Sequence, residues 1–592
     1  MKKLIFPLLA LIISSCGNST KPTESQDKTF DVFKEAFVEE LWKVNPEWAS
    51  YNGYYKYDSV LSVPDDNYRK KQLSFSSVWL DSLKKFDVKQ LSSSNKTDYL
   101  MIENQLKSNE FYINEFKSYE WNPSNYNLGE TFAKMINEQY APLDERLRNL
   151  YKRLQKVDAY YAAAKTNIKQ PTIVHTTLAI SQNRGAAEVF GAAVIDSIDK
   201  SGLSAQEKVD LKTAVEEAKE AVLSYADWLE KDILPTLNEQ TARSFRIGKD
   251  LFTKKFDYEI TSSYTAEQIY NKALEHKKNL HSEMAKLTKQ LWPKYFKDKA
   301  MPTDSLLAIK EMIGVLSLKH VHRDSFQFEI EKQIPELTAF VKDKDLLYLD
   351  PSKPLVVRVE PAYMQGVAGA SISAPGPYEK NANTYYNVGP LTSYSPEAAE
   401  SYLREYNHYM LQILNIHEAI PGHYAQLVYS NQSPSIIKSI LGNGAMVEGW
   451  AVYTERMMLE EGYGNNEPEM WLIYYKWNLR ATCNTILDYS IHTANMSEED
   501  AMKLMVNEGF QQEKEAANKW KRANLTQVQL CSYFTGFREI YDFREEVKKQ
   551  QGDQFKLKAF HEKFLSYGSA PVKYIRELML EDLKAGNEVV SK

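Results

Sequence analysis

The chain has 592 residues and a net charge of −6, from 73 Lys and Arg against 79 Asp and Glu. The two signs are interspersed, which excludes a basic nucleic-acid surface. A 43% hydrophobic and 12% aromatic content excludes a disordered chain, and the length exceeds one ordinary domain.

Residues 1–16 read as a lipoprotein signal peptide, with Lys2-Lys3, an apolar run from Leu4 to Ile13, and then Ser14-Ser15-Cys16. The run is too short to span a bilayer as a mature helix. Ile13-Ser14-Ser15-Cys16 resembles a bacterial lipobox, which implies that Cys16 carries the lipid. Polar residues 17–28 would be a flexible tether. The expected location is the bacterial cell envelope, with the outer membrane favoured and the protein facing the periplasm or the exterior on its acyl chains. The remaining cysteines, Cys483 and Cys531, lie in helical patterns and are read as buried thiols.

Helical spacing begins with Phe33, Phe37, Leu41 and Trp42 and is broken by Asn45-Pro46. Further helices are predicted over Asp98 to Phe116, Leu143 to Ala164 and Ala205 to Glu230. These form an N-terminal helical lobe, 29–240, in which nothing looks catalytic; His175 reads as a capped core histidine. The second lobe, 241–592, opens with a helix from Thr265-Ala266-Glu267-Gln268 to about Leu287 and another from Asp304 to Leu316. The texture changes at Pro351. Leu355 to Glu360 and Thr384 to Val388 read as strands around a Gly/Pro-rich stretch, a small sheet whose exposed edge would let a peptide dock by main-chain hydrogen bonds. A helix, Glu397 to Asn415, then leads into the stretch that carries the chemistry.

That stretch is Ile416-His417-Glu418-Ala419-Ile420-Pro421-Gly422-His423. Its nearest template is H-E-x-x-H on a helix, where histidines at i and i+4 bind zinc and the glutamate is the general base. Here the second histidine is at i+6, about 120° around a straight helix from the first. A metal site therefore needs an irregular helix. Pro421 lacks an N–H and clashes with the carbonyl of His417, and Gly422 is permissive, so the pair is read as a bulge that returns His423 to the face of His417. The alternative is a helix, a turn and a second helix with unrelated histidines. A third ligand is required. Glu448 and Glu455, on a later helical pattern with Gly449, Trp450 and Tyr453, both qualify; Gly449 would let that helix approach the histidine helix. Downstream, Arg480 can grip a substrate carboxylate, and Asp488 and His492 are i,i+4 neighbours.

At these residues the chain resembles the bacterial "domain of unknown function 885" family, whose signature is H-E-A-x-P-G-H followed by E-G-W. By resemblance the family is grouped with gluzincin-like zinc metallopeptidases. The resemblance runs in patches from about residue 30 to the C-terminus, including Phe245 to Phe256. It implies a mainly α, zincin-like peptidase fold with a small β-sheet beside the histidine helix. It further implies one Zn²⁺ held by His417, His423 and Glu448, and Glu418 activating water. Glu455 then falls to orienting a ligand. Arg480, Asp488 and His492 match the family's Arg, Asp and His segment, with Asp488 supporting His492. Tyr533 matches Gln-x-x-Ser-Tyr-x-x-Gly, although Gln527-Val528 stands where the family has Pro-Gly. Either Tyr533 or His492 would stabilise the oxyanion. Tyr386 and Asn387 match a substrate-facing segment loosely. His561 is expected at the surface. The expected activity is hydrolysis of short peptides; the alternatives are a cell-wall or other non-peptide amidohydrolase and a non-catalytic, ligand-capturing lipoprotein.

Overall fold

Capping and amphipathic spacing account for most of the architecture. A computed structural model describes residues 25–360, 370–379 and 383–590, so the signal segment, Cys16 and most of the tether lie outside the described residues. Helix occupies 73% and strand 3% of the structure. Helix α1, Asp27–Val44, buries Phe30, Phe37, Leu41 and Trp42 and stops before Pro46. Helix α2 is Ser93–Phe111, started by the Ser92 side chain. Helix α3, Ala205–Trp228, and helix α4, Ala266–Phe296, each open on a capping box, from Ser204 with Glu207 and from Thr265 with Gln268. Among the described residues no helix is long and apolar enough to cross a membrane.

The expected division at residue 240 does not match the apolar cores. One core joins the N-terminal helices up to Trp121 to everything from Ile247 onward. A second, smaller core is built from Leu61 and from residues between Tyr126 and Leu229. The chain thus leaves the main body after its first helices, builds a satellite bundle, and returns. Local periodicity cannot reveal which helices share a core.

Strand β1, Leu355–Val359, and strand β2, Ala370–Ser373, flank strand β3, Thr384–Val388, in the order β1-β3-β2. β1 runs parallel to β3 and β2 antiparallel to it. β3 is therefore the middle strand, and its main chain is paired on both sides. The sheet lies beside the histidine helix as expected, tied to it by the Tyr386 hydroxyl donating to Asn415 Oδ1 at 2.8 Å.

The predicted single helix from Glu397 is two: α5, Pro396–Glu405, and α6, His408–Glu418, the second started by Asn407 Oδ1 accepting from the backbone of Tyr409 and Met410. Then follow α7, His423–Asn431; α8, Gly444–Glu460; α9, Pro468–Ala494; α10, Glu513–Thr526; and α11, Cys531–Gln551. Gly449 does not serve the histidine helix. It meets Gly536 of α11, where an added Cβ would lie 2.3 Å from the Gly536 carbonyl carbon. Cys483 and Cys531 are buried free thiols.

Several histidines outside the metal region are held in neutral form, His561, His175 and His276 among them. His561 is not at the surface: it is fully buried, with Nδ1 2.8 Å from the Leu346 carbonyl and Nε2 2.7 Å from the Tyr453 hydroxyl. Since a carbonyl only accepts, Nδ1 carries the proton and Nε2 accepts from the phenol. His175 bridges Thr172 and the Leu525 carbonyl, and His276 meets Asn478. Burial pushes each of the three down to about 4, against about 6.5 in an unfolded chain. Between those values the unfolded chain binds the extra protons, so this contribution to stability is complete above about pH 6.5, falls as the pH drops, and is gone near pH 4. The melting temperature should fall steeply over that window, with up to roughly 4 kcal/mol per pH unit from the three groups together. His561→Gln should flatten the slope; an unchanged profile would remove His561 as a contributor.

Candidate metal centre

The turn between α6 and α7 brings the two histidines together, though not by the expected bulge. α6 ends at Glu418, the Ile420–Pro421 peptide is cis, and a new helix starts at His423. Gly422 N–H donates to the Ile416 carbonyl at 3.0 Å, folding the turn back onto the helix it left. Gly422 has an ordinary negative φ, so its value here is space. An added Cβ would lie 1.9 Å from the His417 carbonyl oxygen and 2.3 Å from that of Ile416. The structure thus has the helix, turn and second helix of the alternative reading, with histidines that converge: their ring centroids are 4.7 Å apart and nearly perpendicular.

Glu448 arrives from the first turns of α8, which Asn443 starts by accepting from Met446 N at 2.9 Å. Its Oε2 is 3.5 Å from His423 Nε2 and 3.8 Å from His417 Nε2, and one donor atom from each of the three residues lies within 4.8 Å of the others. These separations are long for hydrogen bonds, which run about 2.7–3.2 Å. They suit a shared ion: bonds of about 2.1 Å at tetrahedral angles put donor atoms roughly 3.4 Å apart. The Glu448 side chain keeps 23% exposure and helps line a cleft of about 370 Å³ with Gln529 and Ser532.

The surroundings fit a cation. Glu455 Oε1, fully buried, is 2.6 Å from His417 Nδ1 and also accepts from Trp477 Nε1 at 2.9 Å. The imidazole therefore donates from Nδ1 and turns the Nε2 lone pair toward Glu448, the usual support for a ligating histidine. His423 Nδ1 is buried without a partner. Burial and the charge of His423 push His417 down to about 4, so it stays neutral. Burial opposes charge on His423, but the nearby Glu448 carboxylate outweighs it and raises the group. Burial also opposes charge on Glu448, and here the two histidines prevail and lower it. Glu418 is raised, by burial first and by the Glu448 and Glu455 carboxylates, against the pull of both histidines.

Of the remaining predicted residues, some join the site and others do not. The Tyr533 hydroxyl accepts from Arg522 Nη2 at 3.1 Å, and burial and the nearby Glu448 raise its pKa. Arg480 lies over Trp477 at 5.1 Å and beside Glu515 at 3.5 Å. His492 does not face the site: it is buried, with Nε2 on the Ala523 carbonyl at 3.0 Å, and 3.6 Å separates it from Asp488. The Asp488 carboxylate instead accepts from Val528 N and Leu530 N, both at 3.0 Å. It holds the Gln527-Val528 turn, in which both residues have positive φ, at the head of the helix that carries Tyr533. Tyr386 and Asn387 offer no edge. Both are fully buried on the middle strand, Tyr386 on Asn415 and Asn387 on Arg358, Ser371 and Ser373. Trp450 Nε1 donates to the Pro421 carbonyl at 2.9 Å, and Tyr453 meets His561.

Sequence reading missed Lys519 and Arg522, one helical turn apart on α10. The run Glu513-Lys514-Glu515 followed by Lys519 and Lys521-Arg522 reads as a solvated face. Its one contrary signal is that Lys519 falls on the stripe of Ala516, Trp520 and Ala523, all of them buried.

A family model described as "Bacterial protein of unknown function (DUF885)" matches residues 46–579. The chain is similar, at 56% identity and a TM-score of 0.85, to a solved structure from Shewanella oneidensis described as "a putative lipoprotein of unknown function"; the match covers 93% of this chain and 99% of that one. A solved structure from Colwellia psychrerythraea, described as "the putative lipoprotein", shares the fold at 17% identity and a TM-score of 0.75, over 94% of this chain and 99% of that one. No curated protein is significantly similar to this chain.

Proposed function

The chain belongs to the DUF885 family of bacterial proteins of unknown function, and for it we propose a membrane-anchored, zinc-dependent metallopeptidase of zincin-like helical fold that hydrolyses short peptides. The observation that carries this reading is the spacing of His417, His423 and Glu448, wider than hydrogen bonds and fitted to one ion, with Glu418 directly after the first ligand. When bound there, Zn²⁺ supplies Lewis acidity, acidifying water and polarising a substrate carbonyl.

The remaining steps belong to the chain. Glu418, its carboxyl raised by burial, is suited to take a proton from water at neutral pH and return it to the departing amine. Glu455 keeps His417 in one tautomer through the cycle. Tyr533 is the donor for the oxyanion: Arg522 occupies a lone pair of its oxygen and leaves the phenolic hydrogen to point elsewhere. His492, enclosed by Ala523 and Phe252, takes no part. The motif Ile13-Ser14-Ser15-Cys16, and a 56% identical relative described as a lipoprotein, support an anchor on Cys16 in the cell envelope.

Protein purified without added metal should contain one zinc per chain by elemental analysis and cleave members of a peptide library. Chelation should abolish cleavage and zinc should restore it. Glu448→Gln should lower zinc affinity at least tenfold. Failure to bind one equivalent of zinc, manganese or cobalt would end the reading, and cleavage of cell-wall fragments without peptides would move it to an amidohydrolase.

A further inference from the structure

Beside the metal ligands, three cations gather with few anions to match them. Lys476 of α9 takes Glu405 as its own partner at 2.7 Å, leaving Arg480 Nη1 no nearer to that carboxylate than 4.0 Å and without a hydrogen bond. The remaining carboxylate next to Arg480 is Glu515, 3.5 Å away and 36% exposed. Lys519 and Arg522 come from the adjacent α10, at i and i+3 and so on one face. Arg522 is engaged by Gln529 at 2.8 Å and Tyr533 at 3.1 Å. Lys519, only 7% exposed, has no hydrogen-bond or ion-pair partner among the described residues.

A lysine packed this deeply without a partner is costly, and a fold tolerates it most readily where a ligand will supply the missing charge. Its position says which ligand. Lys519 lies on α10 between Glu515, which is 3.5 Å from Arg480, and Arg522, which is 3.1 Å from the Tyr533 hydroxyl, and burial, Arg480 and Arg522 push it well below the usual lysine range. Arg480 lies over Trp477, whose indole donates to the Glu455 carboxylate that holds His417, and Gln529, the partner of Arg522, lines the same cleft as Glu448. The cluster thus adjoins both the ligand Glu448 and the phenol assigned to the oxyanion.

We propose that Arg480, Lys519 and Arg522 form a subsite for the free α-carboxylate of a peptide, which makes this chain a carboxy-terminal exopeptidase. The planar guanidinium of Arg480 offers its unused Nη1 edge, and the Lys519 ammonium closes on the same carboxylate. Anchoring the chain end beside the triad sets the scissile bond a fixed short distance from the terminus, whatever the side chains.

This inference rests on the hydrolase reading of the metal site, and the test separates the two. One peptide is offered to the zinc-loaded protein as free acid and as C-terminal amide. The acid should be cleaved at least 100-fold better in kcat/KM, near its C-terminus, and Lys519→Met should bring the ratio to within a few-fold, chiefly through KM. Equal turnover of acid and amide, or internal cleavage, would overturn the subsite while leaving the hydrolase intact; so would an amidated peptide with a terminal aspartate cleaved as well as the acid. If neither form were cleaved, the hydrolase reading would fail. Calorimetry of the same pair on zinc-loaded protein would still decide the subsite, with equal affinities overturning it. Because the wild-type comparison needs no variant, a misfolded Lys519→Met would not blunt it.

Discussion

Glu418→Gln is expected to reduce peptide turnover by about 10³-fold or more while the protein still binds one zinc with native affinity. The amide matches the carboxylate in shape, so the end of α6 and the packing around it should persist. Glu418 also stands outside the donor set of His417, His423 and Glu448, so metal content should not change. What the substitution removes is the group that takes the proton in the proposed mechanism. The loss should therefore fall on kcat, with KM within a few-fold of wild type. Single-turnover kinetics with elemental analysis of the same preparation checks both halves. Turnover within tenfold of wild type would strip Glu418 of the role of base, and loss of zinc along with activity would make it a ligand or a structural group instead.

Gly422→Ala should be the single-methyl change that most directly damages the metal site. The new Cβ would lie 1.9 Å from the His417 carbonyl oxygen and 2.3 Å from that of Ile416, both main-chain atoms that no rotamer change can move aside. Relief requires α7 to shift away from α6, which separates His423 from His417. Zinc affinity should fall by at least about 100-fold, or the protein should fail to fold, since backbone displacement in a buried turn costs several kcal/mol. Gly444→Ala is the matched control: an added Cβ there meets nothing within 4 Å, at the exposed start of α8, so folding and zinc affinity should be kept. Zinc titration and melting curves of the two variants, side by side, check the pair. Native zinc affinity in Gly422→Ala would show that the close approach of the turn to α6 does not shape the site.

Much of the helical framework was legible because helix starts are written locally. The helices predicted from Thr265 and from Asp304 start on those residues' side chains, and Asn45-Pro46 ends α1. The pairing of His417 with His423 was legible in outcome but not in form. A six-residue spacing excludes a straight helix, yet it does not distinguish a bulge from a break and a restart. The errors share one physical origin, since a pattern read along one segment does not name the segment it packs against. Phe560-His561-Glu562-Lys563-Phe564 looks like a half-exposed helix until Tyr453 and Leu346 close over His561 from elsewhere in the chain. Gly449 signals close approach, but the partner is Gly536, 87 positions on. β3 reads as a strand without revealing that it is the middle one. Lys519 was hidden for the opposite reason, because a charge in a charged run is normally solvated.

The indole of Trp450 gives the ligand set a further property. It sits two residues after Glu448 and donates to the carbonyl of Pro421, inside the hairpin that separates the histidines. Buried and stacked on Phe564, it clasps the carboxylate's helix to the imidazoles' turn through protein atoms alone. The empty and the filled protein would then have nearly the same shape. An arriving ion would find its seat already formed, and its release would leave the surrounding helices where they stand.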